Sequence, residues 1–164
     1  MRGFYDVMLE CEMREHAKMN AMRLPVTDVW GALALRDSAV GRLEGIAPSD
    51  LAGQGIIVSR QALAGTLRDW AGDALDRMDV VATFNLPSNG RYLVRQGMGC
   101  MLTYEGLFDT SEDGDLRFVP FAPRFEAHQG LVWRSSMPNK QTQAFLDAME
   151  RVCARHVGDD AGIS

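Results

Sequence analysis

The stretch 94–106 reads VRQGMGCMLTYEG and places two glycines, Gly97 and Gly99, directly before an apolar run. Glycine loses more backbone entropy on folding than other residues, so this pair indicates conformations that other residues adopt poorly. A helix that ends at Gln96 needs a left-handed residue next, which Gly97 supplies. Gly99 then lets the backbone turn closely into a buried strand over 100–104. The stretch therefore predicts a helix, a tight turn and a strand in succession.

The segment before this turn has two interpretations. Residues 85–96 read NLPSNGRYLVRQ, and the pair Asn89-Gly90 between apolar residues is typical of a β-hairpin. Alternatively, Pro87 lies in the first turn of a helix that has Asn85 as its N-cap. Periodicity alone does not separate the two. The glycine pair that follows the segment favours the helix.

The rest of the chain alternates strand-like and helix-like runs. GIIVS at 55–59 has the length and β-branched content of a buried strand. Apolar residues then recur every three or four positions from 60 to 78, which predicts one amphipathic helix. A strand, a tight turn and a helix imply a parallel β-α-β crossover. The other predicted strands are 5–10, 29–36, 80–84, 100–104, 116–121 and 130–134, and the other predicted helices are 47–54, opened by Ser49 or Asp50, and 139–156.

Composition and charge narrow the class of protein. Of the 164 residues, 46% are apolar and 24% are charged, as in an ordinary globular protein. The net charge of -5 argues against direct nucleic-acid binding, because phosphate contacts need a basic face. Cys11, Cys100 and Cys153 are widely spaced, and neither a signal peptide nor a membrane span is recognisable. We therefore expect reduced thiols, a cytoplasmic location and no membrane partner.

No catalytic or metal-binding motif is recognisable in the sequence. His16, His128 and His156 lie far apart and lack neighbouring residues at metal-ligand spacing. A nucleophile elbow, a phosphate-binding loop and a zinc-protease motif are all missing. We expect no catalysis, no cofactor and no bound metal.

Four segments of the chain together resemble the effector-binding domain of LysR-type transcriptional regulators. The segments are RGFYDVMLE (2–10), WGALALRDSAV (30–40), PSDLAGQGIIVSRQ (48–61) and VRQGMGCMLTYEG (94–106). The family's G-x-x-D strand, crossing-strand turn, D-L-x-G segment and G-x-G signature correspond to Gly3–Asp6, Arg36–Val40, Ser49–Ile57 and Val94–Tyr104. The prolines that the family has after Ser38 and at the end of the last motif are absent, both from loop positions.

The resemblance covers about residues 2–152 and implies an α/β fold of the periplasmic-binding-protein-like (type 2) class. It implies a complete second, Rossmann-like subdomain at 25–124, a helix over about 86–96, and a hinge near 24–30 and 122–127. Residues 1–24 and 125–156 would form part of the first subdomain, and 157–164 a frayed tail. Because the family's N-terminal winged helix-turn-helix has no counterpart here, the resemblance implies a truncated regulator without a DNA-binding domain.

Candidate effector-binding residues follow three predicted parallel strands. Ligands of open α/β sheets bind beyond the carboxyl ends of strands, where helix N-termini present free N–H groups. The residues at these ends are Ser59, Arg60, Gln61, Phe84, Asn85, Leu86, Thr103 and Tyr104. Ser59 and Asn85 either cap helices or hold a carboxylate, and Arg60 could supply a guanidinium fork. Glu10 and Cys11 would face the cleft from the other subdomain, with Cys11 expected to be a small buried residue.

Two functions follow from these expectations. The resemblance implies a ligand sensor that binds a small polar or anionic metabolite between two subdomains. The alternative is an interaction protein, because an incomplete first subdomain would leave 5–10 and 130–134 near an unpaired sheet edge. Exposed edges recruit strands from other chains. This alternative predicts a homodimer, a strand-exchanged oligomer, or pairing with a full-length regulator subunit.

Overall fold

The computed structural model describes residues 5–13, 17–111, 114–136 and 138–160. Within these residues the strands are β1 (Val7–Glu10), β2 (Met19–Leu35), β3 (Gly55–Ser59), β4 (Asp79–Phe84), β5 (Cys100–Tyr104), β6 (Leu116–Pro120) and β7 (Glu126–Arg134). The α-helices are α1 (Arg60–Leu63), α2 (Thr66–Ala71), α3 (Pro87–Arg95) and α4 (Lys140–Asp160), and the 3-10 helices are Val40–Arg42, Pro48–Leu51 and Gly72–Arg77. Gly3 of the predicted G-x-x-D motif, His16 and 161–164 of the predicted tail lie outside the described residues.

The chain divides into two compact units. The first unit comprises Met1–Thr27 and Ala127–Ser164, and the second unit is Asp28–Glu126. β2 begins in the first unit and ends in the second. None of the described helices is long and apolar enough to cross a membrane.

The second unit contains a mixed sheet with the strand order β6-β2-β5-β3-β4. β3 is parallel to both β4 and β5, whereas β2 is antiparallel to β5 and β6. α3 connects β4 to β5, so residues 80–104 form a crossover and not an antiparallel ribbon. The predicted parallel sheet and the predicted helix before Gly97 are confirmed.

The turn after α3 shows why this stretch of sequence needs its two glycines. Gly97 has a φ of 74°, and its N–H donates to Val94 O at 2.9 Å. The N–H of Met98 donates to Leu93 O at 3.2 Å, which completes a Schellman C-cap. Gly99 has a φ of 150°, and a Cβ atom there would collide with the carbonyl oxygen of Gly55 on β3. The C-cap and the close approach of β5 to β3 are thus confirmed.

Both faces of the second unit's sheet are covered. Successive strand residues point to opposite faces. On the face toward α3, Leu33, Ile57, Phe84, Met101 and Leu116 form a core cluster with Val94 of α3. The opposite face carries the alternate residues, which include Trp30, Ala32, Leu102, Val119 and Phe121, all buried. Burial on both faces explains the unbroken apolar run in β3.

The predicted single helix over 60–78 is wrong. The segment consists of α1, α2 and a 3-10 helix over Gly72–Arg77. Gly65 precedes α2 with a φ of -150° and a ψ of -93°, and Gly72 ends it with a φ of 53°, so neither glycine continues a helix. The apolar stripe is nevertheless buried, since Leu67, Ala71 and Leu75 all lie in the core. Periodicity predicted the buried face correctly and the continuity wrongly.

The predicted helix over 47–54 is a shorter 3-10 helix, Pro48–Leu51. It begins after Ala47 and not at Ser49 or Asp50, because Pro48 is suited to a first helical position. The Asp50 carboxylate accepts a hydrogen bond from the Ala47 N–H at 2.9 Å, so this aspartate stabilises the start of the helix from inside it.

The first unit contains three neighbouring strands in the order β1-β7-β2. β1 pairs antiparallel with β7 from Val7↔Trp133 to Glu10↔Gly130. β1 is the edge strand, and β7 lies next to it with partners on both sides. Of the two segments predicted near an unpaired edge, 5–10 therefore contains the edge strand itself and 130–134 belongs to its neighbour. β2 starts at Met19, well before the predicted 29, because its first half is a half-exposed ribbon without a continuous apolar run.

α4 completes the described part of the first unit. Asn139 caps it, since its Oδ1 accepts a hydrogen bond from the Thr142 N–H at 2.8 Å. The helix continues to Asp160, beyond the predicted end at His156.

Candidate functional site

The carboxyl ends of β3, β4 and β5 lie along one edge of the second unit, which we call the carboxyl edge. Ser59 at the end of β3 is in register with Phe84 at the end of β4. β5 is parallel to β3 on its other side and ends at Tyr104. The sheet therefore brings together the predicted residues from all three strand ends.

Ser59 and its neighbours begin the short helix α1. The Ser59 Oγ accepts a hydrogen bond from the Ala62 N–H at 3.1 Å, so the serine is the N-cap. Gln61 is exposed in the first turn of the same helix. One lone pair of the Ser59 hydroxyl is used in capping, while the hydroxyl hydrogen can rotate toward another acceptor.

Arg60 carries the positive charge of the carboxyl edge among the predicted residues. Its Nε donates to Thr83 Oγ1 on β4 at 3.4 Å, a long contact that directs the guanidinium across the end of the neighbouring strand. The side chain is exposed. A guanidinium in this position can offer its Nη groups to an anion in a charge-assisted, bidentate contact.

Asn85 does not cap α3, which corrects the prediction. The N-cap is Leu86, whose side chain makes no capping hydrogen bond. Pro87 occupies the first turn and restricts the residue before it to extended conformations, and Leu86 has a φ of -116° and a ψ of 121°. The helix therefore begins one residue later than predicted and leaves Asn85 exposed at the carboxyl edge. Phe84 is buried in the core cluster.

Thr103 and Tyr104 end β5 beside the start of the second unit's part of β2. Thr103 is buried and pairs with Gly31, and Tyr104 pairs with Trp30. The Trp30 and Tyr104 rings have centroids 4.4 Å apart and are inclined by 55°. Trp30 was absent from the predicted site, although the register places it at the same edge.

Trp30 and Tyr104 belong to a larger group, which we call the aromatic cluster: Trp30, Trp70, Tyr104 and Phe121. Phe121 stacks on Trp70 with a centroid distance of 3.7 Å and an interplanar angle of 9°. Phe121 is also nearly parallel to Trp30, at 6.2 Å and 5°. The indole nitrogens of Trp30 and Trp70 are buried and have no hydrogen-bond partner among the described residues.

Glu10 and Cys11 belong to the first unit. Glu10 ends β1 opposite Gly130, and Cys11 follows it. Cys11 is exposed, so the expectation of a small buried residue is wrong. The cysteine lies in a bend after the strand and not within it, which accounts for its exposure.

Comparison with protein families decides the affiliation of this fold. A family model described as the LysR substrate binding domain matches residues 3–154. The chain belongs to this family. Its matched region includes every residue of the carboxyl edge and of the aromatic cluster.

Solved structures have the same fold as this LysR substrate-binding domain. HinK, a LysR family transcriptional regulator from Pseudomonas aeruginosa, matches with a TM-score of 0.67 at 16% identity, over 91% of this chain and 53% of HinK. The Synechocystis PCC6803 CcmR regulatory domain in complex with 2-PG has a TM-score of 0.70 at 16% identity, over 90% of this chain and 73% of that domain. The oxidized form of OxyR has a TM-score of 0.70 at 18% identity, over 94% of this chain and 73% of that one.

These comparisons support a shared fold and no further shared property. The LysR substrate-binding domain described here spans about half the length of HinK. At 16–18% identity, the likeness concerns the fold. No curated protein matches the chain in sequence.

Two electrostatic features lie in the second unit of the LysR substrate-binding domain. Burial raises the pKa of the Cys100 thiol to about 12, so this thiol on β5 stays protonated at neutral pH. The exposed Arg68 donates to Asp76 at 2.8 Å, and this hydrogen bond lowers the pKa of the Asp76 carboxyl. In the described ranges no group of three His, Cys, Asp or Glu side chains could hold a metal ion.

The first unit of the LysR substrate-binding domain has a cavity of about 300 Å³ at the start of α4. Tyr5, Asp6, Trp133, Arg134 and Asn139 are among its lining residues. The Asn139 Nδ2 donates to Asp6 Oδ1 at 3.4 Å, which ties the start of β1 to the start of the helix. The sequence offered no signal for this cavity, because its lining comes from three segments far apart along the chain.

Proposed function

We propose that this chain is the effector-binding, or sensor, domain of a LysR-type transcriptional regulator. It binds a small polar or anionic metabolite at the carboxyl edge and carries out no chemistry. The observation that carries this proposal is the alignment of three parallel strand ends, with Arg60 after β3 in contact with Thr83 near the end of β4. Ligands of open α/β sheets bind in this position. The CcmR regulatory domain of similar fold was solved in complex with 2-PG, which adds support for a ligand-binding role.

The polar groups available at this edge suit an anion. Arg60 provides charge, and Asn85 provides an exposed amide next to the start of α3. No side chain caps the first turn of α3. Pro87 has no N–H and the Asn89 N–H donates to Leu86 O at 3.1 Å, which leaves the Ser88 N–H of this turn to contribute to anion binding together with the arginine. Contact of the effector with Glu10 and Cys11 remains a prediction from the sequence.

A paired substitution tests this role of Arg60. Acids of the aliphatic and aromatic classes are screened by thermal shift, and the affinity of each hit is measured by calorimetry. Arg60→Gln should weaken binding of a carboxylate about tenfold, because a hydrogen bond to a charged group contributes about 1.5–3 kcal/mol. Arg68→Gln is the matched control, since Arg68 is an exposed arginine of the same unit paired with Asp76.

The result that contradicts the proposal is equally definite. If Arg60→Gln binds every hit as tightly as the parent chain, the carboxyl edge is not the anion site. An equal loss in Arg68→Gln would show that net charge, and not the position of Arg60, determines affinity. Tight binding of promoter DNA by this chain with a steep salt dependence would contradict the proposed role as a sensor without direct nucleic-acid contact.

A second candidate function is pairing through β1. β1 is hydrogen-bonded to β7 on one side and is the last strand of the described sheet. Tyr5 and Leu9 next to this edge are 71% and 53% exposed. Edge strands with exposed apolar side chains recruit strands from other chains. This favours a homodimer, a strand-exchanged oligomer, or association with a full-length regulator subunit.

Light scattering at micromolar concentration tests the second candidate. The parent chain should have at least twice the monomer mass. Leu9→Lys places a charge on the edge strand and should shift the mass toward the monomer. Val152→Lys is the control, because Val152 is a similarly exposed apolar residue that lies on α4 and not on an edge strand. A monomeric parent chain would refute pairing.

A further inference from the structure

β1 forms one edge of the sheet in the first unit. Within the described residues it has β7 on one side and no strand on the other. The outward N–H and C=O groups of such a strand are unpaired, so they can bind the backbone of a further strand. Which strand fits this edge depends on the side chains that β1 presents beside it.

One face of the segment 5–10 is apolar and incompletely covered. Tyr5 and Val7 line a groove of about 400 Å³ together with Phe145 of α4. Leu9 shares the face of Val7, because alternate residues of a strand point to the same side. Tyr5 and Leu9 are both largely exposed. A strand that pairs with β1 should therefore place apolar side chains next to these two residues.

The alternate residues of the same segment are mostly acidic. Asp6 and Glu10 lie at its two ends, with Met8 between them. Like charges directly opposite each other on paired strands are destabilising. The charge pattern therefore excludes any pairing that places a carboxylate opposite Asp6.

A second copy of this chain satisfies both conditions in one register. Closed two-fold dimers are the commonest protein oligomers, and they require a surface that is complementary to itself. A two-fold axis at Val7 of an antiparallel pair places Tyr5 opposite Leu9 of the second copy. Each exposed leucine then lies beside a tyrosine at the groove. In the same register Asp6 is opposite Met8, so this carboxylate does not face another one.

The two adjacent symmetric registers fit less well. An axis at Met8 places Asp6 opposite Glu10 of the second copy, which is a repulsive pair. An axis at Leu9 places Leu9 opposite its own copy and leaves the more exposed Tyr5 outside the paired segment. Charge and apolar cover thus both favour the axis at Val7.

We propose that two copies of this chain pair through β1, antiparallel and around a two-fold axis at Val7. The sheets of the two first units then form one continuous sheet, and Leu9 of each copy packs beside Tyr5 of the other. This inference rests on the second candidate function, pairing through β1, and it defines the partner and the register of that pairing.

Disulfide cross-linking of the full chain tests the register. The Cα atoms of directly opposite residues in an antiparallel pair are about 4.5–5.5 Å apart, which a disulfide can span. In a Cys11→Ser, Cys153→Ser background the remaining native cysteine, Cys100, is buried. With diamide as the oxidant, Val7→Cys in this background should form a covalent dimer on a non-reducing gel.

The neighbouring positions are the matched controls. Met8→Cys and Leu9→Cys should each give roughly a tenth as much covalent dimer as Val7→Cys, because neither residue is opposite its own copy. A mixture of Tyr5→Cys chains with Leu9→Cys chains should cross-link, whereas either chain alone should not. Light scattering of each reduced variant confirms that the substitution itself leaves the dimer intact.

The strength of the dimer gives a measurement that needs no cysteine. Leu9→Ala should raise the dissociation constant of the dimer by about tenfold, because the tyrosine–leucine pair occurs twice in a symmetric dimer. Val152→Ala is the control, since Val152 is an exposed apolar residue on α4 away from the edge strand. An equal effect of both substitutions would contradict the inference.

The outcomes separate this inference from the second candidate function. If Met8→Cys or Leu9→Cys cross-links more than Val7→Cys, the register is wrong and pairing through β1 stands. If the chain is dimeric in light scattering but no cysteine in β1 cross-links, the interface lies elsewhere, and both the register and pairing through β1 are refuted. A monomeric parent chain also refutes both.

Discussion

Substitution of the two glycines after α3 gives a direct test of how this stretch determines the fold. Gly97 and Gly99 both have positive φ angles, but their surroundings differ. A Cβ atom on Gly97 would meet no heavy atom within 4 Å, whereas a Cβ atom on Gly99 would collide with the backbone of Gly55. Alanine at 97 therefore introduces conformational strain alone. Alanine at 99 introduces strain and also forces β5 away from β3.

These differences determine how much each substitution should lower the free energy of unfolding. A left-handed conformation costs an L-residue about 1–2 kcal/mol, which is the expected loss for Gly97→Ala. At Gly99 a φ of 150° is accessible almost only to glycine, with a strain of about 1–3 kcal/mol. Overpacking against a backbone atom adds about 1–3 kcal/mol. Gly99→Ala should therefore lower the free energy of unfolding by about 2–6 kcal/mol, a large share of the 5–15 kcal/mol typical of a domain.

Urea unfolding followed by tryptophan fluorescence measures these losses. A Trp133→Phe background restricts the signal to Trp30 and Trp70, both in the second unit. With a slope of about 2 kcal/mol per molar, the midpoint should fall by roughly 0.5–1 M for Gly97→Ala and by roughly 1–3 M for Gly99→Ala. Gly97→Asn is the control, because asparagine tolerates the left-handed C-cap. Equal losses at both glycines, or a loss below 1 kcal/mol at Gly99, would refute the close-approach argument.

Two further predictions concern buried or anchored groups of the second unit. Arg36 donates to the carbonyl oxygens of Gly114, Thr110 and Ser111 at 2.7, 3.0 and 2.6 Å. Arg36→Lys should therefore lower the free energy of unfolding by about 1–2 kcal/mol and speed limited proteolysis near these three residues. An unchanged cleavage rate would contradict this. Burial raises the pKa of the Cys100 thiol to about 12, so a thiol reagent at pH 8 should modify the exposed Cys11 and leave Cys100 unmodified until unfolding. Because that pKa lies above the ordinary 9.0, stability should fall as pH rises from about 9 toward 12, and less so in Cys100→Ala.

Local signals in the sequence were sufficient to predict many of the helices and strands of the second unit. The glycine pair at 97 and 99 predicted the end of α3 and the entry into β5, because both constraints arise from the backbone within a few residues. The apolar density of β3 predicted a strand buried on both faces. The parallel arrangement followed from the order of these elements, since a strand and a helix in succession close into a crossover.

Other features depended on interactions that no local pattern contains. The apolar period from 60 to 78 is that of one helix, yet Gly65 and Gly72 divide it, and the same stripe is buried by three shorter pieces. The first half of β2 lacks a continuous apolar run because it is half-exposed in the first unit. In both cases packing against the sheet, and not intrinsic propensity, determines the conformation.

The candidate site at the carboxyl edge could likewise be predicted only where local sequence was sufficient. Ser59, Arg60 and Asn85 could be identified because each directly follows a predicted strand. Trp30 lies near the start of the second unit's part of β2, and Phe121 lies just after β6. Only the antiparallel register of those strands brings these two residues to the same edge as Tyr104. Antiparallel neighbours contribute their opposite ends to the carboxyl ends of parallel strands. A search limited to residues that follow parallel strands therefore omits half of such an edge. In this protein the omitted half contains Trp30, whose indole nitrogen has no hydrogen-bond partner among the described residues, and Phe121, on which Trp70 stacks.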